Sequence, residues 1–276
     1  MSHTKQSGSA AVRDGVSIHY TIHGMDASSR PRLVLIHSLG MKGLVWDNVV
    51  EHLVPRITVL TYDCRGHGAS TKMPGPYRLE TFANDIEDLL NHLHWSAAHV
   101  AGASLGGNVA LQFAILNPTR VQSLGLIDTT GWYGAEAAAN WESRARTAEE
   151  NGLAALTEFQ LSRWFSDAFR ANHPDTVGQC RFIFLGNDVP SYAASCRMLG
   201  AFDLRPKLAG LHVPTAIIVG EDDYATPVAM SRVLQNGIAG ATLHIVPHSR
   251  HLTFIEHPGV IAQALTEIVE RSSSGE

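Results

Sequence analysis

The stretch VAGASLGGNVA, from Val100 to Ala110, places a serine among small residues directly after an apolar run. Gly102, Ser104 and Gly106 form a G-x-S-x-G pattern, with strand-like residues before it and helix-like residues after it. A sharp strand-to-helix turn of this kind exposes a serine hydroxyl, and glycine on both sides gives the tight backbone the room it needs. The stretch therefore predicts an α/β fold with Ser104 as a nucleophile, although such turns also occur without chemistry.

A serine nucleophile needs a base and an orienting acid, and the ends of two later predicted strands supply both. The apolar run PTAIIVG is followed by Asp222 and Asp223, and the run TLHIVP is followed by His248 and His251. In α/β sheets, functional groups gather beyond the carboxyl ends of the strands. An exposed carboxylate or a surface histidine would explain each residue singly, but the chain order of serine, aspartate and histidine is the one this serine turn predicts. We take Ser104 as nucleophile, His251 as base and Asp223 as acid.

Two backbone N–H groups are candidates for holding negative charge on a substrate oxygen. Leu105 begins the predicted helix after Ser104, where N–H groups point at an anion. The segment RLVLIHSLG places Leu39 directly after another predicted strand, so its N–H is the candidate second donor. Ser38 beside it is an extra donor or a turn residue, and we expect His37 to order the loop.

The composition is that of a packed globular protein rather than of a nucleic-acid or membrane protein. Of 276 residues, 45% are hydrophobic and 17% are charged, and the formal net charge of −5 comes without a block of like charges. The start, MSHTKQSGSA, lacks the apolar core of a signal peptide, and no apolar run is long enough for a transmembrane helix. We therefore predict a cytoplasmic protein that binds neither nucleic acid nor membrane. The oligomeric state stays open.

The sequence predicts neither a metal nor a cofactor. The cysteines are odd in number and lack the paired spacing of a zinc site or a disulfide framework, so we expect reduced and mostly buried thiols. The glycine-rich stretch YDCRGHGAS does not match the phosphate-binding patterns, and we interpret it as a structural turn.

Short apolar runs alternate with amphipathic stretches of helical length along most of the chain. Strands are predicted at VSIHYTIHG, RLVLIHS, TVLTYD, AAHVAGAS, SLGLIDTT, PTAIIVGE and TLHIVPHS. Strand alternating with helix predicts a doubly wound, mostly parallel sheet. Between about Trp132 and Arg205 only helical patterns occur. This interval predicts a helical cap, residues 132–205, inserted into a core of residues 1–131 and 206–276.

The motifs, taken in order, resemble those of the α/β-hydrolase fold enzymes. The matching marks are HSLG, YDCRGHGAS, GASLGG, GEDDYATP and HLTFIEHP, and the resemblance covers about Ser17 to Val269. It implies the same nucleophile and the same two oxyanion donors. The family's acid lies a short, fixed distance after a strand-end glycine, and its histidine precedes an apolar residue and then an acidic-proline element. These features favour Asp223 over Asp222 and His251 over His248.

Within that superfamily, the stretches LSRWFSDAFRANHPDTV and YAASCRMLGAFDLR and the loop HSLG resemble 3-oxoadipate enol-lactonases, which cleave an enol-lactone ring. The resemblance implies a serine hydrolase that opens a lactone or small carboxylic ester through an acyl-enzyme. A carbon–carbon bond hydrolase and a cofactor-free perhydrolase on the same triad are alternatives. The former typically has tryptophan after its histidine, where this chain has Leu252. A small-molecule receptor with an intact triad is an alternative of another class.

The candidate substrate contacts lie mostly in the cap. We expect Arg163 or Arg197 to pair with a substrate carboxylate, because the planar guanidinium binds a carboxylate through two hydrogen bonds. Trp132 and Trp164 would wall the remaining surface, with Ser38 beside the nucleophile. Solvated helix faces would explain the same arginines, and the pocket would then prefer neutral esters.

Overall fold

The structure, a computed structural model, describes residues 4–25 and 29–274, and its centre is one eight-stranded sheet. The strands are β1 (Lys5–Ala11), β2 (Ser17–His23), β3 (Arg32–Ile36), β4 (Thr58–Tyr62), β5 (Ala98–Ala103), β6 (Val121–Ile127), β7 (Thr215–Gly220) and β8 (Thr242–Val246). They lie in the order β1-β2-β4-β3-β5-β6-β7-β8. Strands β3 to β8 run parallel, whereas β1 and β2 form an antiparallel edge.

Helices cover both faces of this sheet. They are α1 (Asp47–Leu53), α2 (Leu79–His92), α3 (Leu105–Leu116), α4 (Ala137–Asn151), α5 (Thr157–Trp164), α6 (Asp167–Asn172), α7 (Pro174–Leu185), α8 (Val189–Leu199), α9 (Val228–Gly237), α10 (Thr253–Glu256) and α11 (Pro258–Ser274). Helix α1 packs on α11, and α2 packs on α3. The predicted doubly wound, mostly parallel α/β fold is confirmed.

The central strands read as continuous apolar runs because they are buried on both sides. Every residue of β4, β5 and β7 is buried, so alternate side chains on both faces meet a helix layer rather than water. Helix α3 is buried along most of its length as well. This helix follows the serine turn, so the turn is held between two rigid and buried elements.

The segment between β6 and β7 carries helices α4 to α8. Gly152, with φ of 74°, ends α4, and the chain continues through a 3-10 turn at Leu153–Leu156 into α5. Helix α4 packs along α8. Arg197 of α8 reinforces this contact by pairing with Glu142 and Glu149 of α4 at 2.8 and 2.7 Å. The division into residues 132–205 and the two core segments stays a prediction.

Strand β1 lies in the polar stretch that precedes the first predicted strand. Most of its side chains are exposed, so the hydrophobic alternation that marks a half-buried strand is missing. Its backbone pairs with β2 from Lys5 opposite His23 to Ala11 opposite Ser17. Main-chain hydrogen bonds therefore define this edge strand.

Three further properties concern the whole described chain. Cys64, Cys180 and Cys196 are free and buried, as predicted. Among the described helices, none combines the length and the apolar character that crossing a bilayer requires. Residues 4–25 and 29–274 also contain no cluster of His, Cys, Asp or Glu side chains arranged to hold a metal ion.

Candidate active site

Ser104 stands at the turn between β5 and α3 in a strained backbone conformation. Its φ of 54° and ψ of −117° are rare for a residue with a side chain. A Cβ atom at Gly102 would lie 2.2 Å from the Gly106 carbonyl oxygen, and one at Gly106 would lie 2.1 Å from the Ile36 carbonyl oxygen. Both distances are far below van der Waals contact. The two glycines of the serine turn are therefore required by close backbone packing.

The structure brings the three predicted triad residues together. The Ser104 Oγ atom lies 2.9 Å from His251 Nε2, and His251 Nδ1 lies 2.8 Å from Asp223 Oδ2. Because a carboxylate only accepts, Nδ1 carries the imidazole proton, and Nε2 is left to accept from the serine hydroxyl. Ser104 and His251 are 7% and 6% exposed, so the chain of hydrogen bonds is shielded but open to one side. This arrangement can remove the serine proton during nucleophilic attack.

Asp223 is held as a carboxylate by the turn that follows β7. Its Oδ1 atom accepts from the N–H groups of Ala225 and Thr226 at 2.7 and 2.9 Å, and Oδ2 accepts from the Thr226 hydroxyl at 2.8 Å. Burial raises the pKa of Asp223, but His251 and these hydrogen bonds outweigh burial and hold the pKa below its ordinary value. Neighbouring Asp222 is exposed, as is His248. The geometry thus favours the same acid and base as the motifs.

Asp128 is a buried acid that sequence reasoning missed. It follows β6 with a φ of 46°. Its Oδ1 atom accepts from the Gly220 N–H at 3.2 Å, and Oδ2 accepts from the N–H and hydroxyl of Thr253 at 3.0 and 2.7 Å. Burial and the neighbouring Asp223 carboxylate raise its pKa well above the ordinary value. The Asp128 side chain thereby links the end of β7, shortly before Asp223, and Thr253, shortly after His251, to the end of β6. The sequence signal that could have identified Asp128 is an aspartate at the end of a predicted strand.

The helical segment between β6 and β7 also contacts the loop that carries His251 through main-chain bonds. The His251 N–H donates to the Arg163 carbonyl at 3.3 Å, and the Leu252 N–H donates to the Trp164 carbonyl at 3.0 Å. Both acceptors lie at the C-terminal end of α5. The candidate base His251 is therefore held by the helical segment between β6 and β7 as well as by its bond to Asp223.

The loop after β3 brings Leu39 into the lining of the cavity that also contains Ser104. His37 Nε2 accepts from the Cys64 N–H at 2.9 Å, so Nδ1 carries the proton and donates to the Ser38 carbonyl at 2.8 Å. Burial lowers the pKa of His37 and keeps the ring neutral for this task. Leu105 is the first residue of α3, where an N–H has no partner within the helix. Leu39 lines the same cavity as Ser104, and Leu105 follows Ser104 directly in the chain.

A cavity of about 480 Å³ opens over the triad. Ser38, Leu39, Ser104 and His251 line its floor, and the described cap residues in its wall include Tyr133, Trp141, Arg144, Phe159, Arg163 and Trp164. The cavity has the size and the mixed polar and apolar lining typical of a small-molecule site. Tyr133 and Arg144 were not among the predicted contacts.

Among the described residues, Arg144 and Arg163 line this cavity and donate hydrogen bonds to neutral groups. The Arg144 guanidinium donates to the Gln160 side-chain oxygen at 3.0 Å, and Arg163 donates to the Tyr224 carbonyl. Burial and the nearby Arg144 charge lower the pKa of Arg163. Within the described residues, the bonded partners of both guanidinium groups are thus neutral.

Two predicted substrate contacts require correction. Arg197 lies between α4 and α8, where Glu142 and Glu149 neutralise its charge, so it is not available to a ligand in the cavity. Trp132 lies under the Arg205 guanidinium, 3.5 Å from the ring centre, instead of in the cavity wall. Ser38, Arg163 and Trp164 do line the cavity. The direction of a helical side chain cannot be read from residue type, which explains why Arg197 was predicted and Arg144 was not.

Comparisons with known proteins match almost the whole chain. The model of the alpha/beta hydrolase fold family matches residues 31–258. The 3-oxoadipate enol-lactonase 2 of Acinetobacter baylyi is 31% identical over 93% of this chain and 94% of its own length. The pimeloyl-acyl-carrier-protein methyl ester esterase of Chromobacterium violaceum is 30% identical over 87% of this chain and 94% of its own length. The crystal structure of an enol-lactonase from Burkholderia xenovorans has a TM-score of 0.91 and 32% identity, and covers 95% of this chain and 100% of that chain.

Proposed function

The chain belongs to the alpha/beta hydrolase fold family of hydrolases, and we propose that it opens a lactone or small carboxylic ester through an acyl-enzyme on Ser104. The observation that carries the proposal is the continuous chain of hydrogen bonds from Asp223 through His251 to Ser104 at the floor of a cavity. A serine with such partners is activated for attack on a carbonyl carbon.

The first chemical step forms the acyl-enzyme. Ser104 Oγ attacks the carbonyl carbon while its proton moves to His251 Nε2, and Asp223 stabilises the imidazolium. The Leu39 and Leu105 N–H groups hold the negative oxygen of the tetrahedral intermediate. His251 then returns the proton to the leaving oxygen as the ester bond breaks. In a lactone this oxygen stays tethered to the acyl group, so the ring opens without release of a second product.

The bond class is supported by the two curated relatives, since an enol-lactonase and a methyl ester esterase both act on esters according to their names. Arg144 and Arg163 support an anionic acyl group. Burial and the neighbouring Arg144 charge disfavour the charged form of Arg163, and a carboxylate bound between the two guanidinium groups would offset this effect. We therefore assign Arg144 and Arg163, in place of Arg197, as the substrate's carboxylate contacts.

A generic aryl ester separates a hydrolase from a receptor. We expect a burst of phenolate stoichiometric with the protein, followed by steady multiple turnover. The Ser104→Ala variant should lose on the order of 10⁶-fold in kcat, as other triad hydrolases do when the nucleophile is removed. Circular dichroism checks that this variant keeps its fold. A single slow turnover by the wild-type protein would support a receptor, and wild-type-like turnover by the variant would exclude Ser104 as nucleophile.

Matched lactones with and without a carboxylate test the anionic substrate. Arg144→Met and Arg163→Met, which keep the apolar stem and remove the charge, should lower kcat/KM about 10- to 100-fold for the carboxylated lactone only. Arg197→Met is the matched control, because its guanidinium pairs with Glu142 and Glu149 on the cap. Equal losses on both lactones would contradict a carboxylate contact.

A further inference from the structure

Tyr133 lies in the cavity wall, and its ring contacts two other aromatic rings. The ring meets Trp141 edge to face at a centroid distance of 5.2 Å and meets Phe202 at 5.8 Å. Its side chain lines the same cavity as Ser104, and its hydroxyl lies 3.1 Å from Asn108 Oδ1. Burial raises the pKa of Tyr133 above its ordinary value, with the Ser104 contact as the largest opposing effect. The group is therefore a neutral hydroxyl in a fixed place beside the nucleophile.

The direction of every hydrogen bond behind Tyr133 follows from Asn108. Both N–H bonds of the Asn108 amide are used, since Nδ2 donates to Thr129 Oγ1 at 3.0 Å and to the Thr130 carbonyl at 2.7 Å. The Thr129 hydroxyl in turn donates to the Ser104 carbonyl at 2.8 Å. The remaining polar atom of the Asn108 amide is Oδ1, and an amide oxygen only accepts hydrogen bonds. The Tyr133 O–H therefore donates to Asn108 Oδ1.

Because the Tyr133 O–H donates to Asn108, the Tyr133 oxygen can only accept hydrogen bonds from a molecule in the cavity. The Ser104 proton is not available to satisfy them, because Ser104 donates to His251 Nε2. Two acceptors, Tyr133 Oη and His251 Nε2, therefore flank Ser104 Oγ. A molecule with two O–H bonds suits this pair, and water is that molecule.

We infer that Tyr133 holds the hydrolytic water during breakdown of the acyl-enzyme, a role that rests on the proposed function. One water hydrogen is donated to the Tyr133 oxygen and the other to His251 Nε2, which leaves a water lone pair directed at the acyl carbon. The water oxygen bonds to that carbon as its proton moves to Nε2. The bond between the carbon and Ser104 Oγ then breaks, and the proton on Nε2 passes to Ser104 Oγ. The carboxylic acid leaves with the Tyr133 hydroxyl unchanged.

The Tyr133→Phe variant tests this role because it keeps the ring and removes only the acceptor. In a single turnover of p-nitrophenyl butyrate with excess protein, acid-quenched intact mass spectra follow the acyl adduct as it forms and decays. We expect adduct formation and kcat/KM to stay within about twofold of wild type, and adduct decay to slow about five- to tenfold, the effect of one neutral hydrogen bond. The KM should fall together with kcat. Tyr77→Phe, which removes a hydroxyl bonded to the Met73 carbonyl at 2.6 Å, is the matched control.

The outcomes separate this role from the proposed function. Equal decay in Tyr133→Phe and wild type, with the adduct present in both, would overturn the water-holding role alone. Parallel losses in formation and decay would also overturn it, because they would assign Tyr133 to the packing of the nucleophile. Product release without any adduct in the wild-type protein would overturn the proposed acyl-enzyme and this role with it.

Discussion

Asp223 and Asp222 are adjacent acids with different surroundings, and only Asp223 is buried against the imidazole. Replacing Asp223 with Asn puts an amide where the turn and His251 Nδ1 all donate hydrogen bonds. An amide nitrogen there would force the imidazole into the wrong tautomer. The corresponding change in a serine protease costs about 10⁴ in kcat. We expect a loss of that order for Asp223→Asn in steady-state hydrolysis of an aryl ester.

Asp222→Asn is the matched control, and its activity should stay within about twofold of wild type because its side chain is exposed. Equal losses at the two positions would assign the effect to the turn as a whole. Because the pKa of Asp223 is held below its ordinary value, the carboxylate stays charged as the pH falls through the mildly acidic range. Protonation of Asp223 is therefore not expected to lower kcat/KM in that range.

At the scale of elements, replacing glycine by alanine in two different helices should change the free energy of unfolding in opposite directions. Gly106 lies in the first turn of α3 against the Ile36 carbonyl, so Gly106→Ala must displace either the helix or β3. Gly178 lies exposed inside α7, where an added Cβ would meet no described atom within 4 Å apart from its chain neighbours and the nearby backbone of its own helix. Gly178→Ala should raise the free energy of unfolding by about 0.5–1 kcal/mol, since glycine is the poorer helix former. Gly106→Ala should lower it by more than that, and urea denaturation measures both.

The elements that could be predicted from sequence are those with a strong burial pattern. Strands β2 to β8 were found because apolar runs mark burial, and α2 and α3 because helical spacing marks a covered face. Strand β1 could not be found, since exposed residues held by main-chain bonds leave no pattern of side chains. The long helical pattern of the cap is divided at Gly152, where a positive φ changes the chain direction.

At the scale of the whole molecule, buried neutral histidines link stability to pH. Burial lowers the pKa of His99 to about 4, and burial together with His37 lowers that of His67 to about 3. The unfolded chain takes up protons at these residues near pH 6.5, whereas the folded chain does not. Stability should therefore fall as the pH drops from about 6.5 towards 4. The His99 contribution to this loss is about 2–3 kcal/mol at pH 4.5.

Urea unfolding at pH 7 and pH 4.5 measures this linkage. His99→Gln removes the titrating ring and keeps a group that can bond to Ser123, whose hydroxyl lies 2.9 Å from His99 Nδ1. The loss of stability between the two pH values should be smaller in His99→Gln than in wild type. The exposed His212→Gln substitution is the control. An identical loss in wild type and His99→Gln would contradict a role for His99.

The candidate site was predictable where it depends on strand ends and not where it depends on side-chain direction. Ser104, Asp223 and His251 each follow a strand whose end the sequence marks. Tyr133 and Arg144 reach the cavity because of the path that the chain takes after β6, and that path depends on tertiary packing. No local pattern in the sequence encodes it.

The two main-chain bonds from the histidine loop to the Arg163 and Trp164 carbonyls bear on how such proteins diversify. A cap exchanged between homologues by recombination brings a new pocket, but it also brings the peptide groups that hold the base. The pocket and the main-chain support of His251 are consequently inherited through one segment, so a graft must supply both carbonyls in the same positions. Point substitutions in the pocket, which leave the backbone in place, are the less costly path to a new specificity.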